Sequence, residues 1–107
     1  MSILDNIFKE DTMAEFEITG IRKDNGNHNN PHEAVTHYRW IQHGTGKGTI
    51  STRQEVVEWV EDGIDAYVER VRPRAYCFVN ISRSGTKFLQ TYPDATEENN
   101  LLKLPEV

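Results

Sequence analysis

Between Thr52 and Ile64 apolar residues recur at three- and four-residue intervals, as Val56, Val57, Trp59, Val60 and Ile64, with Glu55, Glu58, Glu61 and Asp62 set between them. That spacing predicts one amphipathic helix over about 52–62 with a single apolar stripe. Both ends are marked. Thr52 and Glu55 have capping-box spacing, in which the hydroxyl accepts the Glu55 N–H and the carboxylate accepts the Thr52 N–H. Gly63 supplies the left-handed residue that commonly ends a helix. Glu61 and Asp62 sit at the negative end of the helix dipole, where carboxylates are mildly unfavourable.

Elsewhere the period is two, the signature of strands. Residues 15–22 place Phe16 and Ile18 on one face. Ile21 then falls out of phase after Gly20, and a bulge there restores the register. Residues 35–43 send Tyr38 and Trp40 to the core together. A short strand at 49–51 leads into the helix, and 66–68 reads as a brief extended segment. Residues 75–82 alternate Ala75, Cys77, Val79 and Ile81 against Tyr76, Phe78 and Asn80. Ser84-Gly85 joins that strand to 86–92 as a hairpin. Residues 23–34 are turn formers throughout, including Asn25-Gly26, and read as a long surface loop. Leu101, Leu102 and Leu104 are too apolar for free coil, so the tail is expected to fold back on the sheet.

These elements predict a single α+β domain over 14–107, a small antiparallel sheet of four to five strands with the helix on one face. Residues 1–13 form an N-terminal extension, where Ile3, Leu4, Ile7 and Phe8 share one face of a short helix. The expected core is Phe16, Ile18, Tyr38, Trp40, Ile50, Val56, Trp59, Val60, Val68, Cys77, Val79, Ile81 and Leu89, with Leu101 and Leu102 closing an edge.

Composition narrows the function classes. The 107 residues suffice for one modest core. A formal charge of −5 argues against general affinity for phosphate backbones or anionic membrane surfaces. The lone Cys77 excludes an internal disulfide framework and a cysteine-rich zinc site, so a reducing cytoplasm is the expected location. No stretch approaches the roughly 20 apolar residues of a membrane span, and the first residues lack the basic-then-apolar order of a signal peptide.

Candidate chemistry is sparse. Gly44-Thr-Gly-Lys-Gly-Thr49 has the wrong spacing for a phosphate-binding loop and reads as a hairpin turn. His28, His32, His37 and His43 stand at intervals that fit no single helix face, and no metal site is expected of them. Ser82, Ser84, Asp94 and the histidines show no nucleophile elbow or paired-carboxylate spacing, so no catalytic group is assigned. Arg70, Arg72 and Arg74 form a basic cluster, with Tyr76 or Phe78 as a stacking surface beside it. Glu55, Glu58, Glu61 and Asp62 form an acidic helix face that a basic partner can read.

Several segments carry a resemblance: Ile18-Thr-Gly-Ile-Arg22, His32-Glu-Ala-Val-Thr-His-Tyr-Arg-Trp40, the run from Ser51 to Gly63, Tyr67-Val68, Lys87-Phe-Leu-Gln-Thr-Tyr-Pro-Asp94 and Asn100-Leu-Leu-Lys-Leu-Pro105. Together they resemble the small bacterial and phage family called domain of unknown function 3892, over roughly residues 14–106. The resemblance implies a compact α+β unit and assigns no activity. The expectation is a small acidic, non-enzymatic protein-interaction module, encoded by a phage or mobile element, with an unidentified protein partner and no cofactor. The alternative is a nucleic-acid-binding module. The candidate surface residues are Glu55, Glu58, Glu61, Asp62, Arg70, Arg72 and Arg74.

Overall fold

The computed structural model describes residues 15–26, 28, 30–92 and 96–107. The expected N-terminal helix with Ile3, Leu4, Ile7 and Phe8, and the turn at Pro93-Asp94, lie outside the described residues. Six strands and one α-helix follow in the order β1 Glu15–Lys23, β2 Val35–Gln42, β3 Lys47–Thr52, α1 Arg53–Glu61, β4 Asp65–Val68, β5 Ala75–Ile81 and β6 Lys87–Thr91. The strands form one sheet in the order β3-β2-β1-β4-β5-β6. The fold is α+β with one helix, as expected. It has six strands rather than four or five, and β1 and β4 run parallel while the other neighbours are antiparallel.

The parallel pair follows from the connection. β3 lies two strands from β1 and runs in the same direction, so a chain that leaves β3, crosses through α1 and returns beside β1 arrives parallel to it. β4 has only four residues and no tight turn to its partner, which is why its pairing is invisible as a local pattern.

α1 forms where its signals place it. Thr52 Oγ1 accepts from Glu55 N at 3.2 Å and Glu55 Oε1 accepts from Thr52 N at 3.0 Å, completing the capping box. Gly63 ends the helix with φ +101°, a region costly for any residue with a Cβ. The apolar stripe lands on Phe16, Ile18, Tyr38 and Trp40, all buried. At its centre Trp59 meets Phe16 at 5.8 Å and Trp40 at 5.4 Å, both edge-to-face. Trp40 Nε1 donates to Ser51 Oγ at 3.0 Å, so the buried indole keeps its hydrogen bond.

The bulge in β1 lies between Ile18 and Gly20 and returns Ile21 to the core, where it is fully buried. Gly20 is required by close approach, because a Cβ there would stand 2.8 Å from Val107 Cγ1 and 3.2 Å from the Pro105 carbonyl. The tail lies along this part of β1. Ile21 N donates to Pro105 O and Val107 N donates to Ile21 O, each at 2.9 Å, while Leu101 and Leu104 enter the core. β4 and the tail therefore share one edge of β1.

Most expected core residues are buried, and Val60, Val79 and Leu102 pack against the core from its margin. Ile81 is a correction at 57% exposure. It occupies the last pair of the β5–β6 hairpin, opposite Lys87, beyond the apolar reach of α1. Ile50 is half-buried and shares its face with Arg39, away from the helix. The loop at 23–34 contains a 3-10 turn, Pro31–Ala34, whose Asn30 cap accepts from His32 N at 3.0 Å. Arg53 ties this turn to the start of α1 by donating to Glu33 O and Val35 O.

Candidate functional site

Because side chains alternate across a strand, the residues between the core positions form a second face turned away from α1. One cross-strand row on it runs Ile41, Glu17, Tyr67, Tyr76, each directly opposite the next in register. Tyr92 extends the row, since its N–H donates to Tyr76 O at 3.1 Å. Phe78 lies two residues along β5, with its ring 4.8 Å from that of Tyr92, and the Tyr67 and Tyr76 rings are 6.1 Å apart. Tyr76 and Tyr92 are 41% and 49% exposed, and Phe78 is half-buried. The aromatic row thus sets partly exposed rings side by side on this face.

Tyr67 is buried beneath Arg74. The guanidinium carbon stands 3.9 Å from the ring centroid, and its nitrogens reach Glu15 at 2.7 Å and Glu69 at 3.2 Å. Burial is the main cause that raises the Tyr67 phenol above its ordinary range, with Arg74 opposing. Arg72 contacts Glu69 at 3.6 Å, and Arg70 donates to Lys103 O at 2.9 Å. The three arginines therefore do not form one free basic patch: Arg72 and Arg74 share Glu69, Arg74 also holds Glu15, Arg70 turns to the Lys103 carbonyl, and Glu17 lies among the same rings.

The acidic helix residues are divided in the same way. Glu55 serves the cap, Glu61 accepts from Lys87 Nζ at 2.7 Å, Asp62 is the C-cap and Glu58 is exposed beside Arg53 and Lys87. Lys87 pairs with Glu61, and Arg53 lies beside Glu58, so the acidic face is interrupted there.

The four histidines point to four environments. His28 contacts Asp24 at 2.9 Å, His37 contacts Thr36 Oγ1 at 2.8 Å and His43 contacts Glu17 at 2.6 Å. His32 stacks on Phe88 with centroids 4.7 Å apart, and its burial lowers its basicity. Among the described residues no group of three His, Cys, Asp or Glu side chains converges on one point. Cys77 is buried, which pushes its thiol up to about 12.

Ser82 and Ser84 both donate to Glu33 Oε2, Ser82 at 2.8 Å. These bonds, Ser84 first, hold the Glu33 carboxyl below its usual range. The cluster clips the Pro31–Ala34 turn to the β5–β6 hairpin. Sequence reasoning named both serines and set Glu33 beside the histidines, but did not join it to Ser82, 49 residues away.

Tyr92 and Tyr67 were not singled out as surface residues from the sequence. The hairpin register alone carries the signal for Tyr92, because pairing 75–82 with 86–92 through Ser84-Gly85 places it across from Tyr76.

The chain matches the family model described as Protein of unknown function (DUF3892) over residues 17–105, and it belongs to that family. Neither a curated protein nor a solved structure matches it. No helix among the described residues is long and apolar enough to cross a membrane.

Proposed function

We propose that this member of the DUF3892 family is a small non-enzymatic module that binds another protein through the outer face of β4, β5 and β6. The observation that carries the reading is the exposed aromatic row Tyr76, Phe78 and Tyr92 on the sheet face that α1 does not cover. Contiguous exposed apolar ground ringed by polar groups marks interaction surfaces, and tyrosine is enriched in them. The non-enzymatic part of the reading is supported by Glu33, which is a weakened base because two serine hydroxyls donate to it. A reducing cytoplasm fits the free Cys77.

The test is a photo-crosslinking residue at position 76, compared with one at Gln54 on the opposite side of the domain. A single covalent partner from position 76 and none from position 54 is the expected result. Equal labelling from both positions contradicts the reading.

The second reading is single-stranded nucleic acid on the same rings, favoured by Arg74 beside them. It is the weaker because Arg70, Arg72 and Arg74 already have partners and the net charge is −5. Salt-dependent retention of an oligonucleotide, lost on Arg72→Glu, would favour it.

A further inference from the structure

At the β6 end of the aromatic row lies a cavity of about 130 Å³, lined by Tyr92, Gln90, His32, Glu97 and Asn100 among others. Its lining is rich in acceptors. Glu97 has a carboxylate whose partner Lys103 stands 3.4 Å away, with both side chains more than half exposed, so that pair holds it weakly. Gln90 Oε1 accepts from Asn80, and Asn100 Oδ1 accepts from Leu102 N. His32 Nδ1 is buried and has no hydrogen-bond partner. That nitrogen is closed to solvent, so the acceptors left to a ligand are the Glu97 carboxylate and the second lone pairs of the amide oxygens.

The same molecule shows which ligand suits a ring beside carboxylates. Arg74 stands over the Tyr67 ring and reaches Glu15 and Glu69, a guanidinium held by a π face and two carboxylates. Tyr92 and Glu97 supply a ring and a carboxylate at the cavity, where no arginine is among the described lining residues. We propose that this cavity receives the guanidinium of an arginine side chain presented by a partner protein. The proposal rests on the reading of the outer face as the docking surface, since Tyr92 belongs to both. Arginine suits the cavity better than lysine, because its planar fork can stack on a ring while donating in two directions, to the Glu97 carboxylate and to a lining amide oxygen. A net charge of −5 favours the approach of such a segment.

The experiment titrates the full chain with a glycine-arginine-serine repeat peptide, its lysine counterpart and a single-stranded oligonucleotide, following the side-chain resonances of Tyr92, Glu97 and His32. The arginine peptide is expected to shift all three, with affinity about tenfold weaker for the lysine peptide and about tenfold weaker on Glu97→Gln, the size of one lost charge-assisted hydrogen bond. Glu97 is exposed, so its substitution leaves the fold intact. Absence of shifts, equal binding of both peptides, or indifference to Glu97→Gln overturns the inference and leaves the cavity to water. Shifts with the oligonucleotide alone overturn it in favour of nucleic acid. If the arginine peptide fails while crosslinking from position 76 still yields one partner, the inference falls and the broader reading stands. Failure of both removes the two together.

Discussion

The Tyr38 hydroxyl accepts the backbone N–H of Leu89 at 3.1 Å, joining a residue of β2 to the edge strand β6 across 51 positions of sequence. β6 has β5 on one side, and this bond occupies a donor on the other, so the sheet curls until its far edge meets β2. Burial pushes the Tyr38 phenol up to about 12, with the Leu89 bond opposing, so the group is a neutral hydroxyl throughout the working pH range. Tyr38→Phe leaves the Leu89 N–H buried without an acceptor. The expected loss is about 1–3 kcal/mol by chemical denaturation. A loss below about 0.3 kcal/mol would show that the bond is not needed for closure.

Asn99 makes the other long-range closure. Its side-chain oxygen accepts from Arg70 N at 2.8 Å and Val71 N at 3.0 Å, and its nitrogen donates to Val71 O at 2.7 Å and Pro73 O at 2.9 Å. All four capacities of the amide are used, and the residue is fully buried. Asn99→Ala is expected to destabilise by roughly 3 kcal/mol, because the loop donors it satisfies lose their acceptor. Urea unfolding measures this, and Asn99→Asp should recover only part of the loss, since a carboxylate faces two carbonyl oxygens. Full recovery by aspartate would contradict the amide clamp.

The helix cap is separable from the core. Thr52→Ala removes the acceptor for Glu55 N and should cost about 1 kcal/mol, while Thr52→Ser should cost little. Equal loss in the two variants would assign the effect to packing instead of capping.

The pH profile depends on His32. Burial lowers its pKa from 6.5, so the folded chain binds its proton less readily than the unfolded chain. Stability from this group is complete above about 6.5 and falls as pH drops from there towards the folded value. Asp24 and Glu33, both lowered, act at more acidic pH: the stability they supply is present above the ordinary carboxylate range and is lost below it. Denaturation midpoints measured from pH 8 to pH 5 should decline, and His32→Gln should flatten that decline. An unchanged slope in the variant would remove His32 as its cause.

The local signals in the sequence were legible because they are physically local. The capping box at Thr52 and Glu55, the Gly63 stop, the bulge before Ile21 and the Ser84-Gly85 hairpin each need only neighbouring residues, and each is present. The parallel partner of β1 was not legible, because it depends on where a crossover lands. The 3-10 turn at Pro31–Ala34 was hidden in a segment whose turn formers say only that the chain bends. For the candidate site, Tyr76 and Phe78 could be placed on one face by alternation. The pairing of Arg74 with Glu15, 59 positions away, and the position of Glu97 beside Tyr92 required the fold.

The central claim is that the outer face of β4–β6 is the working surface and contributes little to folding. Its most direct test is the double variant Tyr76→Ala/Tyr92→Ala, measured for thermal unfolding and for capture of the partner found by crosslinking. The account predicts stability within about 0.5 kcal/mol per site of the parent, as for surface substitutions, together with loss of the partner. A stable variant that retains the partner at parental affinity would contradict it.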